Sequence, residues 1–90
     1  MSFDGCDSLE YVDFTEICSN LDMRNCKNLN QACIDKIISA LCDFASKPYS
    51  NAIPSLTFNA YIGPQQTNII DNARVAAMQA KGFTVSFLNV

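Results

Sequence analysis

The chain has 90 residues, 49% of them hydrophobic and 17% charged, with a formal net charge of −3. That length allows one small domain, and the composition is globular rather than disordered. The bases Arg24, Lys27, Lys36, Lys47, Arg74 and Lys81 are scattered, whereas Asp4, Asp7, Glu10, Asp13 and Glu16 crowd the start with no base among them. A nucleic acid or an anionic membrane is therefore not an expected partner.

No basic stretch followed by an apolar one opens the chain, so no secretory signal is expected, and no run is apolar enough to cross a bilayer. A full-length natural product of this sequence would start in the cytoplasm. The cysteines are Cys6, Cys18, Cys26, Cys33 and Cys42, with no C-x-x-C and no histidine anywhere. The familiar Cys/His zinc patterns are thereby excluded. The favoured reading is reduced, mostly buried thiols acting as small hydrophobes. A disulfide such as Cys18 to Cys26 stands as the alternative.

In chain order, a first strand is expected over about 11–14, where Leu9, Val12 and Phe14 carry an apolar spacing of three then two. The same spacing recurs at Cys18, Leu21 and Met23, predicting a strand over about 20–24. Residues 18–29, CSNLDMRNCKNL, fit the repeat L-x-x-L-x-L-x-x-N/C-x-L, with Cys18 and Met23 in apolar positions and Cys26 in the N/C position. A helix is expected over 31–46, because Ile34, Ile37, Ile38, Leu41, Phe44 and Ala45 share one face. Asn28 or Asn30 would cap it and Pro48 would end it. Ile53, Leu56 and Phe58 predict a strand over 55–59. A second helix is expected over 68–81, capped by Thr67 and closed by Gly82. Phe83, Val85 and Phe87 alternate as a final strand over 83–88.

The predicted fold class is α/β: a leucine-rich-repeat solenoid of about four short parallel strands with two backing helices, as one domain over 1–90. Residues 1–29 form its tight, strand-rich part and 30–90 its helix-containing part with the C-terminal strand. The segments C-x-x-L-x-x-V-D-F, L-D-M-R-N-C-K-N-L, S-L-T-F-N and A-A-M-Q-A-K-G-F-T-V-S-F resemble the C-terminal end of leucine-rich-repeat proteins of gut Bacteroidetes and their phages. That family's tail ends in a helix and an R-G-W-T-V-like strand, here Lys81, Gly82, Phe83, Thr84 and Val85. The resemblance implies a fold, a general role in protein binding and no catalytic residues. This chain departs from the family in placing cysteines where Leu or Asn is commoner and in lacking a clear N-terminal capping repeat.

Strand alternation would place Tyr11, Asp13, Asn20, Asp22, Arg24, Thr57, Asn59 and Ser86 on a ligand-binding strand face. In register, Asp13 would lie about 4.8 Å from Asp22, an acidic corner needing Arg24, a cation or a partner's base. The acidic residues at the start do not form an EF-hand loop, and a solvated acidic rim is expected in place of a metal site. Without histidine, Ser–His and Cys–His pairs cannot form. No G-x-G-x-x-G or G-x-x-x-x-G-K-S/T loop occurs, and Asp13 with Asp22 on a flat face would suit glycoside chemistry poorly.

The expected function is a non-enzymatic leucine-rich-repeat module that binds protein or glycan through its strand face, without cofactor or metal. The alternative is a structural subunit of a larger assembly, such as a bacteriophage virion, that self-assembles through an exposed N-terminal sheet edge. A redox-sensor reading of the cysteines would need a thiol with a depressed pKa, and no base stands in an obvious place to provide one.

Overall fold

A computed structural model describes Phe3, residues 8–46 and residues 53–89. Three parallel strands, β1 (Leu21–Met23), β2 (Ser55–Asn59) and β3 (Thr84–Leu88), form one sheet in the order β1-β2-β3. Helix α1 (Gln31–Ala40) links β1 to β2, and helix α2 (Asn72–Ala80) links β2 to β3. A short 3-10 turn, Ala60–Ile62, follows β2 directly. Parallel neighbours cannot be joined by a tight hairpin, so each connection has to cross back over the sheet. Among the described residues no helix is long and apolar enough to cross a membrane.

The strands follow the period-two rule. Leu21, Met23, Leu56 and Phe58 are buried and belong to one core with Cys33, Ile34 and Ile37 of α1 and Met78 of α2. The alternate residues Asp22, Thr57 and Ser86 fall on the opposite face. Both helices thus back the same side of the sheet. Phe58 is fully buried, and its ring lies 6.1 Å from that of Phe87. Burying a side chain of that size contributes about 1.5–3 kcal/mol. Phe44 and Phe83 meet edge to face at 5.3 Å and tie the segment that follows α1 to the start of β3.

No strand forms over 11–14, and among the described residues the sheet has three strands, not the four-stranded solenoid expected. The backbone there is satisfied elsewhere. Glu10 O accepts from Asn30 N at 2.9 Å, and Val12 N donates to Cys33 Sγ at 3.4 Å. Phe14 is buried and packs edge to face on Phe3, which in turn donates its N–H to Asp22 O on the outer side of β1. Apolar spacing is preserved by this packing without a ladder.

Helix α1 also stops earlier than its periodicity implies. Leu41 is extended and forms an isolated parallel bridge with Ile17. Ile17 N donates to Ala40 O at 2.8 Å, and Cys42 N donates to Ile17 O at 2.9 Å. These bonds draw the chain out of the helix although Phe44 remains buried where the helical pattern placed it. Pro48, expected to end the helix, lies outside the described residues. Asn30 is the N-cap, its side chain accepting from Cys33 N at 2.9 Å. In α2 the cap is Asp71, not Thr67; Asp71 Oδ1 accepts from Arg74 N at 2.9 Å. Thr67 instead donates its hydroxyl to Tyr61 O. Gly82 closes α2 with φ +93°, where a Cβ would lie 2.9 Å from both Ala45 N and Phe44 Cβ.

The bridge at Ile17 is reinforced covalently. Cys18 and Cys42 form a disulfide, with Cα atoms 5.1 Å apart. This replaces both the all-reduced expectation and the Cys18–Cys26 alternative. Cys26 and Cys33 are buried thiols outside this bond, and the Cys26 thiol donates to Phe3 O; Cys6 lies outside the described residues. The bond spans a sequence separation of 24, for which loop-closure entropy contributes about 3 kcal/mol. Reduction, or the Cys18→Ser/Cys42→Ser double variant, is expected to lower unfolding free energy by that order in urea titrations. A midpoint unmoved by reductant would show that the Ile17–Leu41 bridge holds the segment without covalent help.

Candidate functional site

Two surfaces carry polar side chains in a defined arrangement. The first is the sheet face opposite the helices. Asp22, Thr57 and Ser86 stand side by side across the three strands, and Ser55 and Thr84 form a second row. These are small side chains on a flat surface, and no described element covers them.

The expected face assembles only in part. Asp22, Thr57 and Ser86 come together, and Arg24 joins them by pairing its Nη2 with Asp22 Oδ2 at 3.2 Å. Arg24 N also donates to Asp22 Oδ1 at 3.2 Å. Asn20 is exposed just before β1, where its Oδ1 accepts from Ser55 N at 2.8 Å. Tyr11 is exposed but on no strand. Asp13 does not stand beside Asp22; its carboxylate pairs with Lys36 Nζ of α1 at 3.3 Å. The acidic corner is absent because the segment that would build it is not in the sheet.

Asn59 departs most from its expected role. It is only 2% exposed, at the end of β2. Its Nδ2 donates to Arg24 O at 2.7 Å, and its Oδ1 accepts from Tyr61 N at 2.9 Å. One amide therefore joins the chain leaving β1 to the turn leaving β2. Buried backbone groups need such partners, and losing them costs about 1–3 kcal/mol each.

The second surface lies beyond this bracket. A cavity of about 240 Å³ is lined by Lys27, Asn59, Tyr61, Gln66 and Asn89. Because the strands are parallel, their carboxyl ends all lie on one side. Lys27 follows β1, Tyr61 follows β2 and Asn89 follows β3. The sequence reading missed this group because its members sit on three loops and share no periodicity. The signal available was positional: polar residues shortly after each predicted strand.

Arg74, Asp35 and Asp71 are committed to the fold. Arg74 of α2 holds Asp35 of α1 in a two-pronged pair, Nε to Oδ1 at 2.8 Å and Nη2 to Oδ2 at 3.1 Å, and also reaches Asp71 Oδ2 at 2.9 Å. The Arg74 guanidinium holds the Asp35 carboxyl below its ordinary range, and Asp35 in turn raises Arg74. Burial pushes the Cys33 thiol up, opposite to the direction a redox sensor would need. Glu16, Cys18 and Cys42 place donor atoms within 4.8 Å of one another. The bond between the two sulfurs takes them out of metal ligation.

No family model, curated protein or solved structure matches this chain. Asn59→Ala leaves the Arg24 carbonyl and the Tyr61 N–H without their partner and is expected to cost about 2–4 kcal/mol. Chemical denaturation of the purified variant measures this; a loss below about 0.5 kcal/mol would mean that water replaces the bracket.

Proposed function

We propose that this chain is a non-enzymatic recognition module, related to the leucine-rich-repeat proteins, that binds a protein or glycan through its strand face. The observation that carries this reading is the in-register row Asp22–Thr57–Ser86 on the sheet side that no described element covers. Sequential parallel strands with both helices on one side are also the arrangement that stacked repeats use, with the strand side left for ligands. The sequence contains no histidine to serve as base for a serine or cysteine nucleophile.

Thr57 is the centre of the row and half-buried, so a long charged side chain there obstructs the face without entering the core. The wild-type protein, screened on a glycan array and a displayed-peptide library, is expected to bind at least one ligand. Thr57→Arg should weaken that binding by about tenfold or more while its circular dichroism stays unchanged. Binding that is indifferent to Thr57→Arg for every ligand found would remove the strand face from the reading.

The outer edge of β3 favours a second reading, a structural subunit of a larger assembly such as a bacteriophage virion. No described residue pairs with that edge, its sequence TVSFL is uncharged, and Leu88 is 39% exposed. An open, uncharged edge is a template for strand addition. The edge expected to do this was the N-terminal one, but Phe3 bonds to the outer side of β1. Light scattering during size exclusion separates the readings. The recognition module runs as a monomer near 9.9 kDa; a fixed oligomer would favour the subunit.

A further inference from the structure

We infer that the cavity at the carboxyl end of the sheet is a binding site for a single acidic sugar, a monosaccharide unit carrying a carboxylate. The site is separate from the strand face and shares only Asn59 with the residues expected there, so neither proposal depends on the other.

Three observations support it. The first is location. Parallel pairing puts the carboxyl ends of all three strands on one side, so the loops that leave them lie close together. Here each strand sends one residue to the cavity wall: Lys27 after β1, Tyr61 after β2 and Asn89 after β3. The Asn59 bracket holds the first two loops together through Arg24 O and Tyr61 N. The turn that carries Gln66 is held by its own bonds, Gln66 N to Gly63 O and Thr67 N to Tyr61 O. Much of the frame is therefore formed before any ligand arrives, which limits the ordering cost of binding.

The second observation is that the lining is chemically uncommitted. Arg24, Lys36 and Arg74 all hold carboxylates, but Lys27 makes no ion pair among the described residues. The side chains of Gln66 and Asn89 and the Tyr61 hydroxyl likewise hold no hydrogen bond among the described residues. Four polar side chains without internal work line one cavity.

The third observation is the chemistry of that set. Lys27 is the only charged group in it among the described residues, so the complementary ligand carries an anion. A carboxamide offers donors and an acceptor together, which matches a hydroxyl that both gives and takes a hydrogen bond. Gln66 and Asn89 supply two such groups. Tyr61 is 48% exposed and presents an apolar ring with a polar tip, suited to a flat ligand with C–H on one side and hydroxyls at its edge. A cavity of about 240 Å³ is below the usual range for drug-sized ligands, about 300–1,000 Å³, and fits one sugar ring better than a chain of them.

The test is a titration of the whole 15N-labelled chain with D-glucuronate, with D-glucose and inorganic phosphate as separate probes. The expected result is saturable movement of the Lys27, Tyr61, Gln66 and Asn89 signals by glucuronate, with Kd of about 1 mM. Glucose and phosphate should each bind at least about tenfold more weakly, since each lacks one half of the recognition. Lys27→Met and Gln66→Ala, both at exposed positions, should each weaken glucuronate binding while leaving the remaining spectrum in place. Phosphate binding as well as glucuronate would reduce the site to a general anion site and overturn the sugar assignment. Movement centred on Asp22, Thr57 and Ser86, or no saturable movement up to about 10 mM, would overturn the site itself.

Discussion

The central position of β2 is the constraint on which the rest depends. It pairs in parallel with β1 on one side and β3 on the other, and its Leu56 and Phe58 are fully buried in the core. Parallel pairing forbids short turns. The chain must therefore leave each carboxyl end, cover the apolar side and return to the opposite end. With only two crossovers, and both on one side, the second face of the sheet stays uncovered by described elements. The accessible strand face and the cluster of loops at one end are thus consequences of a single pairing choice.

Small size makes the closure of those crossovers expensive in loop entropy relative to a modest core. The chain secures the first crossover by local devices. Asn30 caps α1, the Ile17–Leu41 bridge takes over where α1 ends, and Cys18–Cys42 locks that bridge. The second crossover is tied to the first by Arg74 on Asp35 and by the bonds from Phe44 and Ala45 N–H to Lys81 O. Gly82 makes the last of these contacts sterically feasible, since no side chain fits between it and Phe44. The exposed Asp35–Arg74 pair adds little by itself in water; its geometry sets the helices in register more than it holds them together.

The sequence is legible where periodicity reports burial. Strand β2 has the expected bounds, β1 and β3 fall within theirs, and both helices lie inside theirs with Asn30 and Gly82 in their expected capping roles. The misreadings share one cause. Apolar spacing at Leu9, Val12 and Phe14 marks residues packed on the core, but an irregular segment meets that requirement as well as a strand does, once Cys33 and Asn30 receive its backbone. Leu41 and Phe44 likewise stay buried after the helix has ended. Spacing encodes which side chains face inward. Which partner satisfies each backbone group is a tertiary matter, and so is the pairing of Cys18 with Cys42.

The same distinction separates the two polar surfaces. On the strand face, Asp22 is neutralised by Arg24 and Asn20 is spent on Ser55, whereas the Thr57 and Ser86 hydroxyls hold no hydrogen bond among the described residues. At the carboxyl end, Asn59 satisfies the buried backbone and leaves Lys27, Gln66, Asn89 and the Tyr61 hydroxyl free of internal bonds among the described residues. A ligand there breaks only contacts with water. A flat face suits a partner that brings area, as a protein does. An open cleft lined by Lys27, Tyr61, Gln66 and Asn89 suits a small molecule that brings matching polar atoms. The two surfaces thus differ in shape and in the elements that build them, one from alternate strand residues and the other from the loops that leave the strands.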